Sequence, residues 1–222
     1  TAGKDGPEKI LAPFASHDAD ILIGTQMIVK GHDFPDVTLV GILMADMSLN
    51  IPHYRSCERT FQLLTQAAGR AGRAERPGHV LIQTYQPGHY AIRCAAQQDY
   101  DSFYEQETAF RSLAGYPPTG SLVAIHMACE DPETLRMAGG YVRKFLEKVI
   151  GKAPVQILGP AEEPIARIAD VWRSVLYLKG TSPAYLRAVR NRLEKYIEIN
   201  EGFKTVEVQY DGESLWQSDR SE

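Results

Sequence analysis

Only three cysteines occur in 222 residues: Cys57, Cys94 and Cys129. They are scattered, odd in number and never arranged as Cys-x-x-Cys. That excludes a disulfide framework and argues against a zinc site built from this chain alone. It also suits a reducing, cytoplasmic setting. Long hydrophobic runs are missing too. The longest apolar run, Val37 to Ala45, falls short of the roughly 20 residues a helix needs to cross a bilayer. No charged stretch followed by an apolar one opens the chain, so no signal peptide and no membrane partner are expected. Excess positive charge is absent: 24 Lys and Arg stand against 28 Asp and Glu, a net −4. Residues 1–87 carry 8 basic and 9 acidic side chains, and the remainder 16 and 19. Any nucleic-acid contact must therefore come from a local patch rather than from overall charge.

One further absence concerns phosphate chemistry. A phosphate-cradling loop of the Walker A type needs Gly-Lys followed by Ser or Thr. Here Gly-Lys occurs as Gly3-Lys4-Asp5 and Gly151-Lys152-Ala153, and no Asp-Glu dyad is present to hold magnesium. What is present is the composition of an ordinary globular protein, 44% hydrophobic and 23% charged, which excludes a largely disordered chain.

Along the chain, residues 8–17 read as a short helix ended near Pro13. Ile21 to Gly24 and Val37 to Ala45 are apolar runs suited to buried parallel strands. Between them lies a turn-rich loop, Lys30-Gly31-His32-Asp33-Phe34-Pro35-Asp36. Residues 55–71 have helical period, with Phe61, Leu64 and Ala68 on one side, and 78–84 read as a third strand. The order predicts an α/β unit with a parallel sheet over residues 1–87. A helical connector over 88–116 follows, with a boundary at Pro117-Pro118-Thr119-Gly120.

Residues 117–222 have a different rhythm. A strand over 121–128 precedes a helix capped by Asp131, with Pro132 at its first position. Leu135, Ala138, Val142, Phe145 and Val149 carry that helix to a stop at Gly151. Strands follow over 155–158 and 171–178. Ser182-Pro183 caps a second helix with Leu186, Val189, Leu193 and Ile197 inward, and 205–210 closes. The order βαββαβ is the ferredoxin-like, split-βαβ arrangement. The tail after Asp211 is polar and expected to fray.

The strongest chemical signal is Gln66-Ala67-Ala68-Gly69-Arg70-Ala71-Gly72-Arg73. On a helix, Gln66, Arg70 and Arg73 share one face. Two guanidiniums on one face repel unless an anion sits opposite, and the two glycines cost helix stability, about 1 kcal/mol each, while leaving room for another surface. That suits an arginine-finger element, whose forks meet charge developing on a transferring phosphoryl group. The bland alternative is a solvated helix end whose arginines complement the helix dipole. The second signal is Gly24-Thr25-Gln26 followed by the Lys30–Asp36 loop. There Thr25 could face a phosphate from a strand end, and Asp33 could accept from a ribose hydroxyl or hold an arginine. An ordinary surface loop fits that segment equally well. The histidines His32, His53, His89 and His126 show no metal spacing and read as structural.

Taken together and in this order, the two segments resemble motifs V and VI of superfamily 2 helicases. Residues 21–40, Glu58 to Gln66 and Pro77-Gly78-x-Val-x-Ile-Gln-Thr-Tyr resemble the PriA family of replication-restart helicases in particular. Tyr116-Pro117-Pro118, Leu158-Gly159-Pro160 and Trp172-Arg173 resemble that family's C-terminal domain more loosely. The resemblance implies the C-terminal part of an ATP-dependent 3′→5′ DNA helicase, active in primosome assembly and replication restart at stalled forks, and so a chain cut from a longer one, as Thr1 in place of a start methionine suggests. Arg70, Arg73 and Gln66 would be catalytic, with Gly31 and Asp33 beside them at the nucleotide. Thr25, Gln26 and Lys30 would face DNA, and Arg173 and Lys179 could add a phosphate patch. The implied partners are forked or single-stranded DNA and replication proteins, including single-stranded DNA-binding protein. ATP and magnesium would be held mainly by an upstream lobe, and zinc by cysteine pairs outside this sequence, so this chain alone is expected to be inactive. Two alternatives remain: another superfamily 2 translocase, RecG-like, or a non-catalytic DNA- or protein-binding module. Arg187, Arg190, Arg192 and Lys195 crowd one helix, but Glu194 and Glu198 dilute them, and a solvated helix face is the favoured reading there. A base-stacking sheet is not expected, because Trp172 and Tyr177 have opposite strand parity.

Overall fold

A computed structural model describes residues 6–25, 34, 36–72 and 77–212. The chain divides into two compact units, Thr1–Glu107 and Thr108–Glu222, each taken here by itself. Gln26, Lys30, Gly31, Asp33 and Arg73 lie outside the described residues.

In the first unit, helix α1 (Gly6–Ala15) contains Pro13. Strand β1 (Leu39–Ile42) leads through a short helix α2 (Asp46–Leu49) to α3 (Ser56–Ala68), which returns the chain to β2 (His79–Ile82). The two strands pair in parallel, Leu39 opposite His79 and Ile42 opposite Ile82. This is the expected strand–helix–strand unit, with shorter strands than the apolar runs suggest. The strand expected over Ile21 to Gly24 is not formed, and residues 21–25 have no regular structure. A strand needs a ladder partner and a covered face, yet Ile21 and Ile23 are 76% and 86% exposed, so among the described residues neither is supplied.

The core of this unit gathers Ala45, Phe61 and Leu64 with residues of α4 (Tyr90–Ala96) and of α5 (Tyr100–Ala114). Phe61 stacks on Phe103 at 4.1 Å between ring centres. At the carboxyl ends of the strands, buried Asp46 accepts hydrogen bonds from the Thr84 hydroxyl at 2.7 Å and the Tyr85 N–H at 2.9 Å. The Tyr85 bond, first among its contacts, holds the Asp46 carboxyl below the usual range. Nearby, the Tyr90 hydroxyl donates to Glu107 at 2.5 Å. His89 caps α4, its Nδ1 accepting from the Ala91 N–H.

The second unit is a four-stranded antiparallel sheet under two helices. Its elements are β3 (Ser121–Cys129), α6 (Pro132–Ile150), β4 (Val155–Ile168), β5 (Val171–Gly180), α7 (Pro183–Ile199) and β6 (Glu207–Asp211). The spatial order β4-β5-β3-β6 places β5 between β3 and β4, which is the split-βαβ arrangement the sequence predicts. Both expected caps form: Asp131 accepts from the Thr134 N–H at 2.8 Å, and Ser182 from the Tyr185 N–H at 3.3 Å. Alternate residues of β3, from Val123 to Cys129, meet Leu135, Val142 and Leu146 of α6 and Leu186, Val189 and Leu193 of α7 in one core. Phe145 stacks on Tyr196 between the two helices.

Strand β4 runs well past the expected 155–158. It bends at Gly159, whose φ of 97° suits glycine, shifts register between Leu158 and Ala161 and again between Glu162 and Arg167, and continues along β5. Ala169 and Asp170 close the hairpin with φ of 48° and 67°, the paired positive values of a two-residue type I′ turn.

Two outcomes follow. Leu193→Ala, at a fully buried position, should lower the unfolding free energy by about 2–5 kcal/mol in urea titration. The His89 cap requires an unprotonated Nδ1. Burial lowers the His89 pKa, against Glu107 and Asp46, which raise it. The folded form therefore disfavours the imidazolium, so this contribution is present above the ordinary histidine range and is lost as pH falls through the lowered value. Thermal unfolding at pH 7.5 and 5 should show it, and His89→Asn, which caps without titrating, should flatten that part of the pH dependence.

Candidate nucleotide-facing turn

Helix α3 ends at Ala68, three residues before the expected 71. Gly69 and Gly72 are poor helix formers, and the chain leaves through tighter turns. The Arg70 N–H donates to the Ala67 carbonyl at 3.1 Å and the Ala71 N–H to the Ala68 carbonyl at 3.2 Å. Gly72 then takes φ of 72°, a left-handed conformation natural to glycine. The expected single helical face through position 73 is therefore corrected: regular helix carries Gln66 but not Arg70. Gln66 is exposed, and Arg70 is half-buried just beyond the helix end.

The turn is fixed against two backbone segments. The Gly72 N–H donates to the Val37 carbonyl at 3.0 Å, and the His79 N–H donates to the Thr38 carbonyl at 2.8 Å. Gly78 approaches the turn so closely that a Cβ there would stand 2.2 Å from the Gly72 nitrogen. Both contacts lie at the amino ends of β1 and β2. The turn carrying Arg70 thus meets the segment directly following the Lys30–Asp36 loop. A pocket of about 360 Å³ opens on the same edge of β1, lined by Phe14, His17, Asp20, Phe34, Asp36 and Val37 among others. Phe14 and Phe34 pack edge to face there at 5.0 Å.

Other candidate residues fare differently. Thr25 is exposed and stands in irregular chain rather than at a strand end. Arg173 is paired with Glu163 at 3.0 Å, whose other oxygen is 2.7 Å from His126 Nδ1. Lys179 donates to the Ala114 carbonyl at 3.0 Å and lies over the Tyr116 ring at 4.9 Å. Both cations are thus held by internal partners, which a charge count along the sequence does not reveal. Sequence reasoning also passed over Gly78, although Pro77-Gly78 before a strand is a signal for close backbone approach.

Two family profiles match the chain. The helicase conserved C-terminal domain covers residues 3–75, and the primosomal protein N C-terminal domain covers residues 112–213. Similar proteins include the replication restart protein PriA of Bacillus subtilis, 47% identical over 88% of this chain and 24% of that protein. The PriA proteins of Chlamydia pneumoniae and Synechocystis are 51% and 39% identical over 87% and 85% of the chain, covering 25% and 22% of their own lengths. The chain belongs to the PriA family. It spans about a quarter of the length of these curated PriA relatives; the helicase match lies within the first unit and ends before β2, and the primosomal match lies within the second unit. Among the described residues, no helix is long and apolar enough to cross a membrane.

Proposed function

We propose that this chain supplies the arginine-bearing side of the ATP-hydrolysing cleft in a 3′→5′ DNA helicase that acts in replication restart. The observation that carries the reading is the hydrogen bond from the Gly72 N–H to the Val37 carbonyl, which sets the Arg70–Gly72 turn against the chain entering β1. There the half-buried Arg70 carries the planar guanidinium fork that suits the charge spread over a transferring phosphoryl group. Gln66, one turn earlier, is exposed beside it. In this reading Arg73, Gly31 and Asp33 also act on the nucleotide, and the lobe that cradles the phosphates belongs to another part of the protein. Among the described residues, no group of three or more His, Cys, Asp or Glu is placed to hold a metal ion. No step is assigned to magnesium or zinc in this chain.

For DNA contact, Thr25, Gln26 and Lys30 remain the proposed residues of the first unit. In the second unit Arg173 and Lys179 are already engaged, and the exposed cations are elsewhere. Lys144, Lys148 and Lys152 recur every four residues at and just past the end of α6, and Arg192 and Lys195 stand on α7; all five are exposed. Four residues of helix span about 6 Å, so Lys144 and Lys148 stand one turn apart on α6, and Lys152 follows just past its Gly151 cap, an array of charge that a phosphate backbone can follow. Partner proteins at the fork, single-stranded DNA-binding protein among them, and a cytoplasmic location belong to the same proposal.

Arg70→Ala in the intact protein should leave ATP binding in place and reduce DNA-stimulated hydrolysis by about 10³-fold; wild-type turnover would refute the assignment. The 222-residue chain alone should hydrolyse no ATP. Charge reversal of Lys144, Lys148 and Lys152 together should lower the slope of log affinity for single-stranded DNA against log salt by about 2, read by fluorescence anisotropy. An unchanged slope would remove this array from the DNA contact.

A further inference from the structure

The arginine turn rests on a residue without a side chain. A Cβ at Gly78 would lie 2.2 Å from the Gly72 nitrogen, 2.5 Å from the Ala71 carbonyl carbon and 2.7 Å from the Ala71 Cβ. Two of these atoms are backbone and the third is fixed to it, so no rotamer change could make room. Gly41 and Gly88, in the same unit, meet nothing within 4 Å, so the approach at 78 is particular to the turn. Gly72 adds a second constraint through its φ of 72° and a third through its hydrogen bond to the Val37 carbonyl. Val37 and Gly78 therefore hold the Arg70 turn at the amino edge of the sheet, and the left-handed φ of Gly72 lets the chain bend there.

We propose that Gly78 is a positioning residue for ATP hydrolysis: its bare Cα lets the turn seat against the start of β2 and so sets where the Arg70 guanidinium stands. The inference rests on the reading of Arg70 given above. Gly78 touches no substrate and acts through Arg70 alone. Any side chain at 78 must push the turn outward by about 1 Å to bring contacts of 2.2–2.7 Å back to van der Waals range, and displacement on that scale can cost 10²-fold in rate.

The test uses the intact protein. Gly78→Ala should lower kcat for DNA-stimulated ATP hydrolysis about 100-fold and move KM for ATP by less than about threefold, as expected when only transition-state contacts are lost. Because the effect runs through Arg70, adding Gly78→Ala to Arg70→Ala should cost nothing more. A merely structural glycine would instead multiply its loss onto that of Arg70→Ala. Thermal unfolding of each variant checks the fold, and should Gly78→Ala not fold, Gly72→Ala is read by the same cycle. Full turnover in Gly78→Ala, or multiplied losses in the double variant, overturns this proposal while leaving Arg70 in place. Full turnover in Arg70→Ala overturns the reading of the site and this proposal with it.

Discussion

The first unit depends on how the chain re-enters the sheet after α3. A parallel strand pair requires a crossover, and the crossover must end at the same edge from which β1 started. Here that edge is reached in four residues, Gly69 to Gly72, and the turn is pressed between the Val37 carbonyl and the bare Cα of Gly78. Close packing of backbone on backbone leaves few ways to accommodate a shift. The two glycines that weaken the helix are thus what allow an arginine to stand at a defined place on the sheet edge.

The second unit follows a different logic. Its core is continuous between one sheet face and two helices, and its caps form as the local sequence directs. Its sheet side chains are drawn into internal pairs. Glu163, nearly buried, joins His126 to Arg173, and Lys179 bridges to a carbonyl 65 residues away in sequence. A cation so engaged already has part of its charge and donors answered by internal partners, whereas an exposed lysine on α6 does not depend on breaking into such a pair. This shifts the proposed DNA-facing surface of the unit from its sheet to its helices.

The parts legible in the sequence were those written locally. Asp131-Pro132 and Ser182-Pro183 announced two helices because a cap needs only its own neighbours, and the inward stripe of α7 was visible in its period. The strand at Ile21 to Gly24 misled, because an apolar run has strand character without having a partner. The second half of β4 was hidden for the opposite reason: Pro160, Pro164 and two adjacent glutamates give no strand pattern, and pairing with β5 overrode them. For the candidate site, Gln66 and Arg70 were legible as residue types, but the single helical face expected of them does not form, since the helix ends at Ala68, before Gly69.

The sequence alone determined the βαββαβ order of the second part, the strand–helix–strand unit before it and the helicase-like octet, because each rests on spacing and composition within a short window. Tertiary structure alone decided which cations are already paired, where β4 stops and what holds the Arg70 turn. Those outcomes depend on atoms brought within 3 Å from distant positions, and no local pattern encodes that distance.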